Sequence, residues 1–218
     1  MNRFRLLGLA GATWALAAAG TLPAAAHPHV WVKVETKVVY DKGAISGFAH
    51  RWTFDDLYTA MAIQGLDTNN DGAYDRKELA ELAQVNMDGL KEFDYFTFAK
   101  LGAGDLKLAD PKDYWLEVND GVLTLNFVLP LAAPVLAEAE GFTFTVTDPS
   151  YFIAFDLAEK SPVTLGDGAP QGCVAEIGGQ GDKASDDTAR LGQAFSNQLG
   201  GAYPMAIGKS VAIVCPKS

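Results

Sequence analysis

The pattern of apolar and polar positions divides the chain into a β stretch, a helical stretch and a longer β stretch. "HVWVKVETKVVY", from His29, is rich in β-branched and aromatic residues. Asp41-Lys42-Gly43 supplies turn chemistry and "AISGFAHRWTF" returns, which predicts a hairpin. In "DDLYTAMAIQGL" the period changes. Asp55 or Asp56 suits an N-cap, and Leu57, Ala60, Met61 and Gln64 fall on one helical stripe. After a polar loop, "RKELAELAQVNMDGL" is helical again, with Leu79, Leu82 and Ala83 on one face. From Phe93 the pattern returns to short strands: "FDYFTFAKL", "DYWLEV", "GVLTLNFVL", "FTFTVTD" and "YFIAFDL". The alternating large residues of "FDYFTF" read as a core strand. The Gly- and Asp-rich residues 161–183 read as a long surface loop. "ASDDTARLGQAFSNQLGG" predicts a late C-terminal helix, and "SVAIVC" a last strand. The expected class is α+β, mostly antiparallel β and sandwich-like, with a helix–loop–helix insertion at about residues 55–90.

The first residues do not belong to this pattern. Arg3 and Arg5 precede an apolar stretch from Leu6 to Leu22, Pro23 breaks it, and Ala24-Ala25-Ala26 supplies small residues. This is the layout of a secretory signal peptide over residues 1–26, cleaved before His27. No other segment is long and apolar enough to cross a bilayer, so no stable membrane anchor is expected after cleavage, and residues 27–218 are expected to form a single periplasmic or secreted domain. Cleavage removes two arginines and no acid, moving the formal charge from −10 to −12. Such a surface repels nucleic acid and attracts cations. The two cysteines, Cys173 and Cys215, are expected to form a disulfide in an oxidising compartment.

The sharpest local signal is "DTNNDGAYDRKE", residues 67–78, between the two helical patterns. In a twelve-residue EF-hand loop, Asp67, Asn69 and Asp71 offer side-chain oxygens and Ala73 a backbone carbonyl. Asp75 contributes directly or through water, and Glu78 is bidentate. Gly72 permits the sharp turn and Tyr74 pins the loop. A hard cation that takes six to eight oxygens fits this set, so Ca²⁺ is the expected ion. A lone extracellular hand is expected to bind it weakly, at roughly 10⁻⁴–10⁻³ M, as a structural ion.

A second candidate lies at the expected mature terminus. In an extended segment His27 and His29 point to one face, and the free amine of His27 adds a third donor. Pro28 has no N–H, which excludes the amino-terminal chelate that needs a deprotonated second amide. A turn at Asp41–Gly43 pairs Tyr40 with Ala44 and sets His29 opposite Asp55. A two-residue turn sets it opposite Asp56. Two histidines and a carboxylate suit Ni²⁺, Co²⁺, Zn²⁺ or Cu²⁺. The third histidine, His50, faces residue 34 or 35 in these registers, and joins the site only if the hairpin is bulged or the N-terminus folds back. Asp148 is a weaker further candidate.

"HPHVWV" after a signal peptide, then "HRWTFDD", "DTNNDGAYDRKE", "FDYFTF", "LNFVLPL" and "DPSYF" in this order resemble the exported proteins grouped as domain of unknown function 1007. The resemblance implies a periplasmic component of a transport system, with a nickel/cobalt-type inner-membrane metal transporter as partner. It points to His27, His29, Asp55 and the loop from Asp67 to Glu78. The leading expectation is a metal-binding accessory protein that is not an enzyme. The three histidines all lie in the first quarter of the chain, which leaves no Ser/His/Asp or Cys/His triad, and no glycine-rich phosphate loop is present. The alternatives are an oxidative copper enzyme built on an N-terminal histidine brace, and a structural calcium module with incidental histidines.

Overall fold

The computed structural model describes residues 28–178 and 208–216. Strands β1 (Val30–Asp41) and β2 (Ala44–Phe54) form the expected hairpin. Along β1, Val30, Val32, Val34, Thr36, Val38 and Tyr40 are buried, the period-two signature of a sheet with one face against the core. Helices α1 (Asp56–Ala62) and α2 (Ala80–Lys91) follow. The remaining strands are β3 (Thr97–Leu101), β4 (Gly104–Leu106), β5 (Asp113–Asn119), β6 (Val122–Leu136), β7 (Phe142–Val146), β8 (Ile153–Leu157), β9 (Val163–Leu165), β10 (Val174–Ile177) and β11 (Val211–Val214).

These strands make two sheets. One runs β5-β6-β2-β1-β8, with β9 also pairing with β1; the other runs β10-β11-β7-β3-β4. The second sheet covers one half of the first sheet's inner face, where Val38, Ile45 and Phe48 meet Phe142, Phe144 and Val211. The two helices cover the other half, with Leu79, Ala83 and Met87 of the second helical segment against Val32, Val34 and Trp52. Most pairings are antiparallel, as expected. The exceptions are β8 and β9, which both run parallel to β1. Among the described residues no helix is long and apolar enough to cross a membrane.

Several expectations change. "FDYFTF" is not one strand. Asp94, Tyr95 and Phe96 form a 3-10 turn with all three φ angles near +50°, and the strand begins at Thr97. Tyr95 and Phe96 are both buried, which a strand with one covered face cannot do for adjacent residues. The segment expected to be a long loop, residues 161–183, contains β9 and β10. On α1 the Leu57–Met61 stripe faces outward: Leu57 and Met61 are exposed, and Thr59 is the buried residue. The expected late helix, residues 184–201, lies outside the described residues.

Gly47 marks a close backbone approach. A Cβ there would sit 2.5 Å from the Leu129 carbonyl oxygen and 2.8 Å from the Pro130 Cα, both backbone atoms of the neighbouring strand β6. Gly47→Ala is therefore expected to lower stability by about 1–3 kcal/mol, as overpacked sites do. Urea unfolding measures it, and an unchanged midpoint would show that β6 yields without cost.

Candidate metal centre

The acidic loop lies between the two helices as expected. Its sharp turn is made by Asn70 (φ +58°) and Gly72 (φ +81°). The acids are organised by the loop's own amides. Asp67 accepts from the Asp71 and Gly72 N–H groups, Asn69 Oδ1 from Asp71 N–H, and Asp71 from Ala73 N–H. Asp75 accepts from the Lys77 and Glu78 N–H groups and so caps the turn that leads into α2. Glu78 reaches back across the loop: one oxygen accepts from the Thr68 N–H and hydroxyl, the other from the Asp75 N–H. These bonds, the Asp75 amide first and the Thr68 hydroxyl next, hold the Glu78 carboxyl below its ordinary pKa.

An ionised carboxylate offers about four lone-pair sites. Asp67, Asp71 and Asp75 each use two, and Glu78 uses three. Every acid of the loop keeps acceptor capacity, and the donor set is oxygen throughout, which fits calcium. In this arrangement no three His, Cys, Asp or Glu side chains among the described residues are grouped closely enough to hold a metal ion. Arg76, between Asp75 and Glu78 of the loop, places its guanidinium 4.6 Å from the Trp115 ring centre on β5, and so ties the loop to the first sheet.

The amino-terminal candidate is arranged differently from either expected register. His27 lies outside the described residues. The hairpin begins as the two-residue-turn register, with Asp41 opposite Ala44, then shifts between Val39 and Tyr40. Ser46 is the extra residue, and its hydroxyl donates to the Val39 carbonyl. Beyond the bulge Val32 faces Phe54, so His29 stands opposite neither Asp55 nor Asp56, and His50 faces Thr36. Asp55 instead caps α1. One of its oxygens accepts from Tyr58 N–H at 2.9 Å, the other from Trp31 N–H at 2.8 Å. Asp56 is exposed in the first turn of α1. His29 is exposed, its N–H donates to the Phe152 carbonyl, and its ring lies 4.9 Å from that of Phe152. Asp148 is spent inside its turn, accepting from Ser150, Phe152 and Ile153 N–H groups and the Ser150 hydroxyl.

His50, which the sequence offers as a ligand only if the hairpin is bulged or the N-terminus folds back, is a core residue. It is 3% exposed, on the inner face between the two core clusters. Its Nδ1 lies 3.0 Å from Thr36 Oγ1 and its Nε2 3.3 Å from Thr97 Oγ1. Thr97 donates its own proton to the Tyr95 carbonyl, so it accepts from Nε2–H, and Thr36 donates to Nδ1. The ring is a neutral imidazole joining the two sheets, and burial lowers its pKa to about 3. The available signal was a histidine at a core position of β2, between Phe48 and Trp52.

Taken together, the structure defines a two-sheet, mostly antiparallel β protein with a helix-flanked acidic loop and a disulfide between Cys173 and Cys215. The family model described as a protein of unknown function (DUF1007) matches residues 12–207, and the chain belongs to that family. It is 27% identical over 140 residues to an uncharacterized protein of Haemophilus influenzae, covering 63% of this chain and 66% of that protein. It is also 30% identical over 99 residues to an uncharacterized 15.5 kDa protein in the trpE 3′ region of Spirochaeta aurantia, covering 45% of this chain and 70% of that protein.

Proposed function

We propose that this is an exported metal-binding accessory protein, with a structural calcium ion in the loop Asp67–Glu78. The observation that carries the reading is the loop itself. All five oxygen-bearing side chains at ligand positions are held to the loop by its own hydrogen bonds while retaining lone pairs for a cation. In this reading calcium replaces the Asn69 to Asp71 side-chain bond with ligation and braces the helices on the sheet. A softer divalent ion, of the nickel, cobalt, zinc or copper kind, is held at the amino terminus by His27 and the exposed His29. Its destination is a transporter in the inner membrane. The protein acts in the periplasm, catalyses no reaction and binds no nucleic acid.

Calcium at ten to a hundred times its dissociation constant is expected to stabilise the fold by about 1.4–2.7 kcal/mol. For a chain of this size that is a rise of roughly 3–10 °C in melting temperature. Glu78→Gln should abolish the rise, and magnesium should not reproduce it. A wild-type melting curve indifferent to calcium rejects the loop assignment. Calorimetry with nickel, zinc and copper, calcium being present, tests the second site. His29→Ala should lose about tenfold in affinity or more, and so should a form with one glycine before His27. Undiminished binding by both leaves only the calcium module. Oxidase chemistry by the copper-loaded authentic terminus alone would favour the histidine-brace enzyme instead.

A further inference from the structure

The outer face of the first sheet carries a feature that neither metal reading uses. Trp115, Asn126, Arg51 and Glu35 form one cross-strand row over β5, β6, β2 and β1. They line a groove of about 380 Å³, which continues over Lys37 and Thr164 on the next row. That volume suits a small molecule. Two atoms of the row lack any hydrogen-bond partner: Trp115 Nε1 and Asn126 Nδ2, both closed to solvent. Asn126 is only 8% exposed. Tyr40 Oη and Trp52 Nε1 are unpartnered too, but they belong to core residues that do not line the groove.

Both row atoms are obligate donors, and a buried donor without an acceptor is costly. Charge selects the complement. Arg51 is engaged by Glu35 at 2.8 Å and by Glu117 at 3.7 Å, so these three neutralise one another in part. Lys37 has no ion-pair partner among the described residues. The groove therefore has two unpaired N–H donors just beneath its wall and one free ammonium, and its carboxylate is already occupied. A metal cation finds no free acid here. A group with two acceptor oxygens and a negative charge satisfies all three.

We propose that this groove binds a small carboxylate. One oxygen accepts from the indole N–H and the other from the Asn126 carboxamide, with the Lys37 ammonium as counter-charge. The ligand reaches the two donors as the half-buried indole tilts, which moves Trp115 relative to the Arg76 guanidinium above its ring. The groove contains none of the proposed metal ligands, and its one tie to the acidic loop is the Arg76 guanidinium over the Trp115 ring, so Asn126 and Lys37 test it apart from either metal.

The test is titration of the mature, calcium-loaded protein with succinate, and with a tripeptide carrying either a free or an amidated C-terminus. Heat of binding and tryptophan emission are both followed. The expected result is saturable binding at or below millimolar concentration, with an emission change. Binding of succinate identifies a free organic acid; binding of only the free-terminus peptide identifies a chain terminus. Asn126→Asp, which replaces a donor with a like charge in the same shape, should weaken binding by at least about tenfold. Trp115→Phe should weaken binding and remove the emission change. The exposed Lys37→Gln keeps the fold secure and should weaken binding severalfold. Equal binding of the amidated peptide, unchanged affinity in Lys37→Gln, or no binding by any probe overturns the proposal.

Discussion

Acidification from pH 7 to pH 5 is expected to cost this protein about 2 kcal/mol of stability, rising to about 4 kcal/mol by pH 3, through His50 alone. The folded imidazole has its pKa lowered to about 3 by burial, whereas an unfolded histidine titrates near 6.5. The unfolded chain therefore binds the extra proton first. The stability from a neutral His50 is complete above pH 6.5 and drains as pH falls toward 3. Ordinary carboxylates titrate near 4, so the window from about pH 6.5 to 5 separates this residue from them, and the His50 variant isolates its share. Urea unfolding at pH 7 and pH 5 reads the difference directly. His50→Gln, which keeps a polar group between Thr36 and Thr97, should shrink that difference to a few tenths of a kcal/mol. Equal wild-type stability at both values would show that water or a counter-charge reaches the ring.

Loss of the Cys173–Cys215 bridge is expected to have a comparable effect. The cysteines are 42 residues apart, and loop-entropy arithmetic gives about 4 kcal/mol for a closure of that length. Cys173 precedes β10 and Cys215 follows β11, an antiparallel pair that, among the described residues, is hydrogen-bonded to the rest of its sheet through the short pairing of β11 with β7. Without the bridge the ladder between β10 and β11 is four residue pairs long. Reduction, or the double variant Cys173→Ser/Cys215→Ser, should lower the melting temperature by about 10 °C. Reductant should do nothing further to the double variant. A shift under a degree or two would mean that the reduced chain already keeps these strands together.

How far these features could be read in advance depends on how local they are. The β1–β2 hairpin was legible because β-branched and aromatic residues flank an Asp-Lys-Gly turn, a signal complete within 26 residues. The position of the acidic loop was legible because a polar run separates two helical patterns. The shift at Ser46 was not: a small polar residue interrupts no pattern, yet it moves every later pairing by one and takes His29 away from Asp55 and Asp56. The left-handed turn at Asp94–Phe96 was hidden by aromatic residues that mimic a strand; it is maintained in part by Tyr95, which donates to Asp110. β9 and β10 have three and four residues. Such strands exist because a distant edge accepts them, and no short window contains that edge. The role of His50 likewise depends on Thr97, 47 residues away.

The parallel pairing of β1 has a consequence for the order of events in folding. Val30 pairs with Ile153, so about 120 residues must be in place before the first strand gains its second neighbour. Contacts of such range close slowly, because the loop entropy is lost before the strand gains its hydrogen bonds. Until β8 and β9 arrive, β1 is a twelve-residue open edge, a template for pairing with another chain. A polypeptide emerging N-terminus first would hold its most β-prone segment unprotected for most of its synthesis. The exposed face of that early strand carries Lys33, Glu35, Lys37 and Asp41, charges that oppose edge-to-edge association during the wait.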